Sequence, residues 1–189
     1  MNFMINTTTN TLNSTGGIIL AGRIFDKIGM DFQGDTILSS AEKQVLLIMA
    51  GLLVQGRNSF TEVDMVRKDH FFMNALNLKK IFASETVRIY LDRLGATCQK
   101  HVLTLLDDIN LNMLKSVPFS LIKTKKSEYC PVDIDVSPLD NSGSKKEGVG
   151  RTYKGMDGYA PIFSYIGCEG YMLSTELRPG TQHCQKETP

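Results

Sequence analysis

The residues with the clearest capacity for chemistry lie in Val132-Asp133-Ile134-Asp135-Val136-Ser137-Pro138. Apolar and acidic residues alternate there with period two, the signature of a β-strand, in which residues i and i+2 share a face. Asp133, Asp135 and Ser137 then line one face. Val132, Ile134 and Val136 line the other and are expected to meet a core. Two carboxylates on one face repel each other when both are ionised, and a divalent cation relieves that repulsion. Such hard oxygen ligands suit Mg²⁺ or Mn²⁺. The period does not separate Asp133 from Asp135. An amphipathic strand with a solvated polar face has the same pattern.

A basic stretch follows, Ser144-Lys145-Lys146-Glu147-Gly148-Val149-Gly150-Arg151-Thr152-Tyr153-Lys154-Gly155. Lys145, Lys146, Arg151 and Lys154 offer donors and positive charge, which is what phosphate contacts need. A solvated loop has a similar composition. A metal-capable carboxylate pair directly ahead of a basic loop points to phosphodiester chemistry. A second set of cationic groups sits in Ser84–Leu94, where Arg88 and Arg93, with Lys79 and Lys80 ahead of them, can face DNA from a helix. A plain bundle helix with a basic solvated face fits the same residues. His183-Cys184 is a conceivable metal or nucleophile couple, but adjacent side chains diverge and no third ligand lies nearby. Cys98, Cys130, Cys168 and Cys184 form no CxxC pair and read as ordinary reduced thiols. His70 and His101 read as structural or exposed. Met49, Met65, Met73 and Met113 read as core filler.

The elements that must position these groups change character along the chain. Residues 1–17 form an Asn- and Thr-rich arm. Ile18 to Met30 suits a short helix with Ala21, Phe25 and Ile28 on one face. Ser39-Ser40-Ala41-Glu42 is a capping box that opens a helix bearing Ala41, Val45, Ile48, Met49, Leu52 and Leu53, with Gly56 as its stop. Helical segments follow near 60–67 and 69–76. Ser84 opens another helix, with Val87, Tyr90, Leu91 and Leu94 as its stripe and Gly95 as its end. A helix over 97–116 buries Val102, Leu105, Leu106, Ile109, Met113 and Leu114, and Pro118 ends it. Beyond 118 the pattern turns to strands. Residues 119–122 form a short strand or connection and 123–126 a basic turn, and 138–150 read as a loop. Tyr159–Ile166 and Gly170–Leu177 are strands joined by a Gly167–Gly170 hairpin loop, with Pro161 at a strand start or edge. The fold class is therefore α+β, with a helical module over 18–117 and a sheet region over 118–189.

The chain has 189 residues with 42% hydrophobic and 22% charged, which is enough apolar material for a globular core and excludes global disorder. Its formal net charge is +1, so basic character is local, and local clusters are what phosphate binding requires. The sequence shows neither an 18-residue apolar run nor a secretory leader pattern. The expected setting is cytoplasmic and nucleoid-associated, with no membrane partner.

The run from Val132 to Pro189 resembles the start of the catalytic domain of DDE-type transposases of bacterial insertion sequences. The stretches carrying the likeness are DIDVSPLDNS, RTYKGMDGYAPI and ELRPGTQH, and the helical region ahead is compatible with the same family. The resemblance implies an RNase H-like mixed sheet flanked by helices. It implies three acids holding two Mg²⁺ or Mn²⁺ ions that drive strand cleavage and transfer. It also implies double-stranded DNA at element ends as partner, with a homodimer as one mode of assembly. The first family acid stands in an Asp-x-Thr or Asp-x-Ser context, which Asp135-Val136-Ser137 matches best, with Asp133 as second choice. The second Asp and the Glu have no counterpart here. Beyond Glu176 only Glu187 is acidic. The expectation is a truncated catalytic domain, inactive alone in strand transfer. The other readings are a non-catalytic DNA-binding or regulatory fragment and an unrelated interaction protein.

Overall fold

A computed structural model describes residues 16–186 and 188. Most of the expected N-terminal arm, and Glu187, lie outside the described residues. The chain forms two compact units, one running through Ile109 and one from Asn110 onward.

The first unit is helical: α1 Ile18–Ile28, α2 Ser40–Val54, a 3₁₀ turn Phe60–Glu62, α3 Val63–Val66, α4 His70–Ala75, α5 Ser84–Thr97 and the start of α6, Gln99–Ser116. α1 buries Ile18, Ala21, Phe25 and Ile28 at helical spacing, as expected. α2 opens on the expected capping box. The Ser39 hydroxyl accepts from the Glu42 N–H, and the Glu42 carboxylate accepts from the Ser39 N–H at 2.8 Å. It ends on a Schellman motif around Gly56, whose φ is +75°. There the Arg57 N–H reaches the Leu52 carbonyl and the Gly56 N–H the Leu53 carbonyl.

The core is built from several helices at once. Val45, Ile48 and Leu52 of α2 meet Val63, Phe72 and Val87 in the set of fully buried side chains. Burial departs from the sequence expectation in four places. Leu53 is 59% exposed, because the inward face of α2 turns toward Leu47 and Gly51, and the next residue is rotated about 100° away. Met65 is exposed rather than core filler. Tyr90 and Leu91 are half-buried and Leu106 is exposed, so the stripes of α5 and α6 are covered only along part of their length. α5 also runs through Gly95 to Thr97. A glycine costs a helix only about 1 kcal/mol, and the break falls instead at Cys98, whose φ is −126°.

Among the described residues the second unit, beyond the end of α6, carries eight short strands: β1 Ile122–Lys123, β2 Glu128–Tyr129, β3 Val132–Val136, β4 Leu139–Asp140, β5 Gly150–Arg151, β6 Asp157–Tyr159, β7 Ile162–Ile166 and β8 Tyr171–Glu176. They form three sheets, β1-β2, β3-β7-β8 and β4-β6-β5. The α+β class holds. The strand pairings among the described residues are all antiparallel, where a mixed sheet was expected. The basic turn is the hairpin between β1 and β2, closed by the Thr124 N–H to the Ser127 carbonyl.

Two expected elements are subdivided. The 138–150 loop contains β4 and the first residue of β5. The expected strand Tyr159–Ile166 is cut at Ala160-Pro161, because Pro161 has no N–H for a ladder. Register nevertheless carries across the cut. Val136 faces Ile162 and Leu139 faces Tyr159, with two residues between on each strand. The Ser137 N–H bonds the Pro161 carbonyl in that gap. β3–β4 and β6–β7 are thus one continuous ribbon, with Pro138 and Pro161 at the joint where one sheet becomes the next.

The expected core face of β3 is not covered. Val132 is 51% exposed and Ile134 47%. Burial in this unit centres on Ala160, Ile162, Thr152 and Arg178 instead, where the ribbon meets the segment after β8.

Candidate active site

β3 puts Asp133 and Asp135 on one face, as period two requires. Their cross-strand neighbours on β7 are Tyr165 and Phe163. Both carboxylates are exposed. The Ser137 hydroxyl donates to Asp135 Oδ2 at 2.8 Å, so the Asp-x-Ser spacing fixes that carboxylate through its i+2 neighbour. Beside it the Tyr153 hydroxyl donates to the Val136 carbonyl at 3.1 Å, which ties the basic stretch to the end of the acid-bearing strand.

Asp135 lines a cleft of about 730 Å³ together with Ile134, Val136, Ile162, Arg151 and Tyr153. Asp133 does not line it. The segment Gly180–Gln185, with Thr188, completes the lining. In the sequence that segment carries part of the family likeness and the His183-Cys184 pair.

The signature residues are the groups that build the wall. Arg178 is 3% exposed. Its Nε donates to Glu176 at 2.8 Å, and its Nη1 donates to the Lys186 carbonyl and the Thr188 hydroxyl, both at 3.1 Å. A buried guanidinium must spend its fixed fork of donors on nearby acceptors, and here it holds the chain that returns past the cleft. Gly180 sits where a Cβ would lie 2.2 Å from the carbonyl oxygens of both Gly150 and Gly158, so only glycine allows that approach. Arg-Pro-Gly and Asp-Gly-Tyr-Ala-Pro are therefore legible as packing constraints. The signal was Gly180 directly after Pro179 and Gly158 three residues before Pro161, but it did not say which cleft they shape.

The cationic residues divide in two. Lys145, Lys146, Arg151 and Lys154 are exposed. Arg151 also pairs with Asp157 at 3.4 Å, and the Lys154 ammonium lies 5.8 Å from the Tyr153 ring centre. The helical pair is already engaged. Arg88 is clasped by Glu85 and Asp92, each at 2.6 Å, and those contacts hold the Glu85 carboxyl below its usual range. Arg93 donates to buried Glu42 at 2.8 and 3.1 Å and stacks on Tyr90. Each guanidinium is thus held by neighbours within its own unit while its side chain stays about half exposed.

The carboxylate strand is only a partial fit to a two-ion centre. Such a centre needs several converging oxygens. Around the cleft, among the described residues, Asp135 is joined by Arg151, His183 and Cys184 rather than by further carboxylates. Among the described residues no group of three His, Cys, Asp or Glu side chains is placed to hold an ion. Cys184 Sγ lies 4.0 Å from His183 Nδ1, at the outer limit of a thiol hydrogen bond. The cysteines are unpaired thiols. His101 is structural, bonding the Asp35 carboxylate at 2.5 Å. Among the described residues no helix is long and apolar enough to cross a membrane.

No curated protein and no solved structure matches the chain. The family described as transposase DDE domain, group 1, matches residues 2–188, across both units and not only the last third that carries the signature stretches. The likeness in those stretches and the match over nearly all of the sequence agree, and the chain belongs to the DDE transposase family.

Proposed function

We propose that this chain grips duplex DNA through Lys145, Lys146, Arg151 and Lys154 and presents Asp135 as the first acid of an RNase H-like transposase core. The family works on DNA in transposition and generally uses a divalent metal. The observation that carries the finer reading is the shared cleft: Asp135 and Arg151 line one cavity, joined by the Tyr153 bond to β3. A carboxylate beside a phosphate-seeking guanidinium is what a phosphodiester site needs. The order β3-β7-β8, an antiparallel meander whose first strand bears the acid, supports the RNase H-like assignment. Asp133 stays the alternate ligand for Mg²⁺ or Mn²⁺. This reading favours 145–154 over α5 for the DNA contact, because Arg88 and Arg93 each share their charge with carboxylates of their own unit.

The chain by itself is read as binding without strand transfer, since among the described residues one carboxylate lines the cleft, which does not complete a two-ion centre. Two measurements test this. Anisotropy titrations of a labelled duplex at several salt concentrations should give a steep salt slope. Replacing all four cations by alanine should reduce that slope by roughly three to four. Unchanged binding in that variant rejects the interface. In a Mg²⁺-dependent nicking assay on element-end DNA, robust cleavage abolished by Asp135→Asn would overturn the reading of inactivity, and the Asp133→Asn variant reports which carboxylate matters.

A further inference from the structure

The segment Thr181–Gln185 shares the cleft lining with Asp135 and has no regular secondary structure. Hydrogen bonds along the chain hold it. The Gln182 N–H reaches the Pro179 carbonyl, and the Lys186 N–H the His183 carbonyl. Arg178 grips the Lys186 carbonyl from the buried side. The Thr188 hydroxyl donates to the Cys184 carbonyl at 2.7 Å. Another bond fixes a side chain: the Gln185 N–H donates to His183 Nδ1 at 3.2 Å. A ring nitrogen that accepts cannot carry the proton, so neutral His183 bears it on Nε2. The fold thus sets the tautomer of an exposed imidazole that lines the cleft and leaves its N–H as a donor.

We propose that His183 is a substrate-contacting residue of this site, donating from Nε2 to a phosphate oxygen of the DNA strand that lies along Asp135. The proposal rests on the DNA reading above and adds to it a second wall. The strand is held between Arg151 on one side and His183 on the other. Buried Arg178 acts as a positioning residue, because its guanidinium sets the turn that carries His183.

The chain has three histidines, so a side-chain imidazole ¹⁵N–¹H spectrum of the whole protein is simple to assign with His183→Ala. The probe is a short random-sequence duplex in EDTA. The expected result is a shift of the His183 ring signals on DNA addition, with His70 and His101 unmoved. His183→Ala should weaken binding by roughly tenfold, the effect of one hydrogen bond to a charged group, and keep the thermal transition of the parent. Alkylation of the thiols, read residue by residue by mass spectrometry, is the second measurement. Cys184 lines the cleft and should be protected by DNA, while exposed Cys130 and Cys168 should not. If DNA binds with the predicted salt slope but the His183 signals stay still and Cys184 reacts freely, the wall is wrong and the basic interface survives. If the duplex does not bind at all, both fall.

Discussion

The two units solve the same problem with opposite results. In the helical unit, apolar residues from α2, α3, α4 and α5 converge, and Val45, Ile48, Leu52, Val63, Phe72 and Val87 are sealed from water. In the strand unit, alternation is just as regular, yet Val132, Ile134, Leu139 and Leu177 stay exposed. A helical stripe finds partners on its neighbours in sequence, whereas one face of a sheet needs a second layer. What the strand unit buries is small: Ala160 and Ile162, the polar Arg178 and Thr152, and a close backbone approach at Gly180. Apolar burial therefore holds the first unit, and backbone fit with buried hydrogen bonds holds the second.

The largest test of that contrast is core deletion. Phe72→Ala should cost about 3–5 kcal/mol, while Ile134→Ala should stay within about 0.5 kcal/mol, both read from urea unfolding. Equal losses would erase the distinction. Next is Gly180→Ala, which should reach the upper end of the roughly 1–3 kcal/mol that overpacking costs and loosen the cleft wall, seen as faster alkylation of Cys184. A neutral result would mean that the backbone contact is not a constraint.

The third test sharpens the polar side of the helical unit. Glu42 is buried, and the Ser39 hydroxyl, helped by the Ser39 N–H and by Arg93, holds its carboxyl below the ordinary value of 4.5. Asp35 loses by burial, but the Leu38 N–H, His101 and Lys43 outweigh that and hold it below 3.8. With folded values lowered, the unfolded chain takes up protons first as pH falls. The stabilisation is complete above the ordinary carboxylate values and is lost as pH drops through the lowered folded ones. Glu42→Gln should cost about 1–3 kcal/mol near neutrality and flatten the acid limb of stability against pH. An unchanged acid limb would remove Glu42 as its source. The smallest effect belongs to Arg88→Ala. Its ion pairs are on the surface, so stability should move by less than about 1 kcal/mol, and DNA affinity should hold. A large loss of affinity would return α5 to the DNA interface.

Much was legible before any coordinates. The Ser39–Glu42 box, the Gly56 stop, the face of α1 and the strand at Val132–Val136 are local, set by hydrogen bonds and periods spanning a few residues. Such signals survive because no distant partner is needed to write them. The misreadings are where distance matters. Gly95 looks like a helix end and is not. Tyr159–Ile166 looks like one strand and is divided between two sheets at Pro161.

The sequence alone determined the α+β order, the shared face of Asp133 and Asp135, and the likeness to DDE transposases, since each rests on residue types at short spacing. Tertiary structure alone decided which of two equivalent aspartates belongs to the cleft lining and which arginines are already paired. It also decided that the segment after Arg178-Pro179 returns to that cleft. The physical reason is that pairing and enclosure depend on groups far apart in the chain, such as Glu42 and Arg93 or Asp135 and His183, and no local period records them.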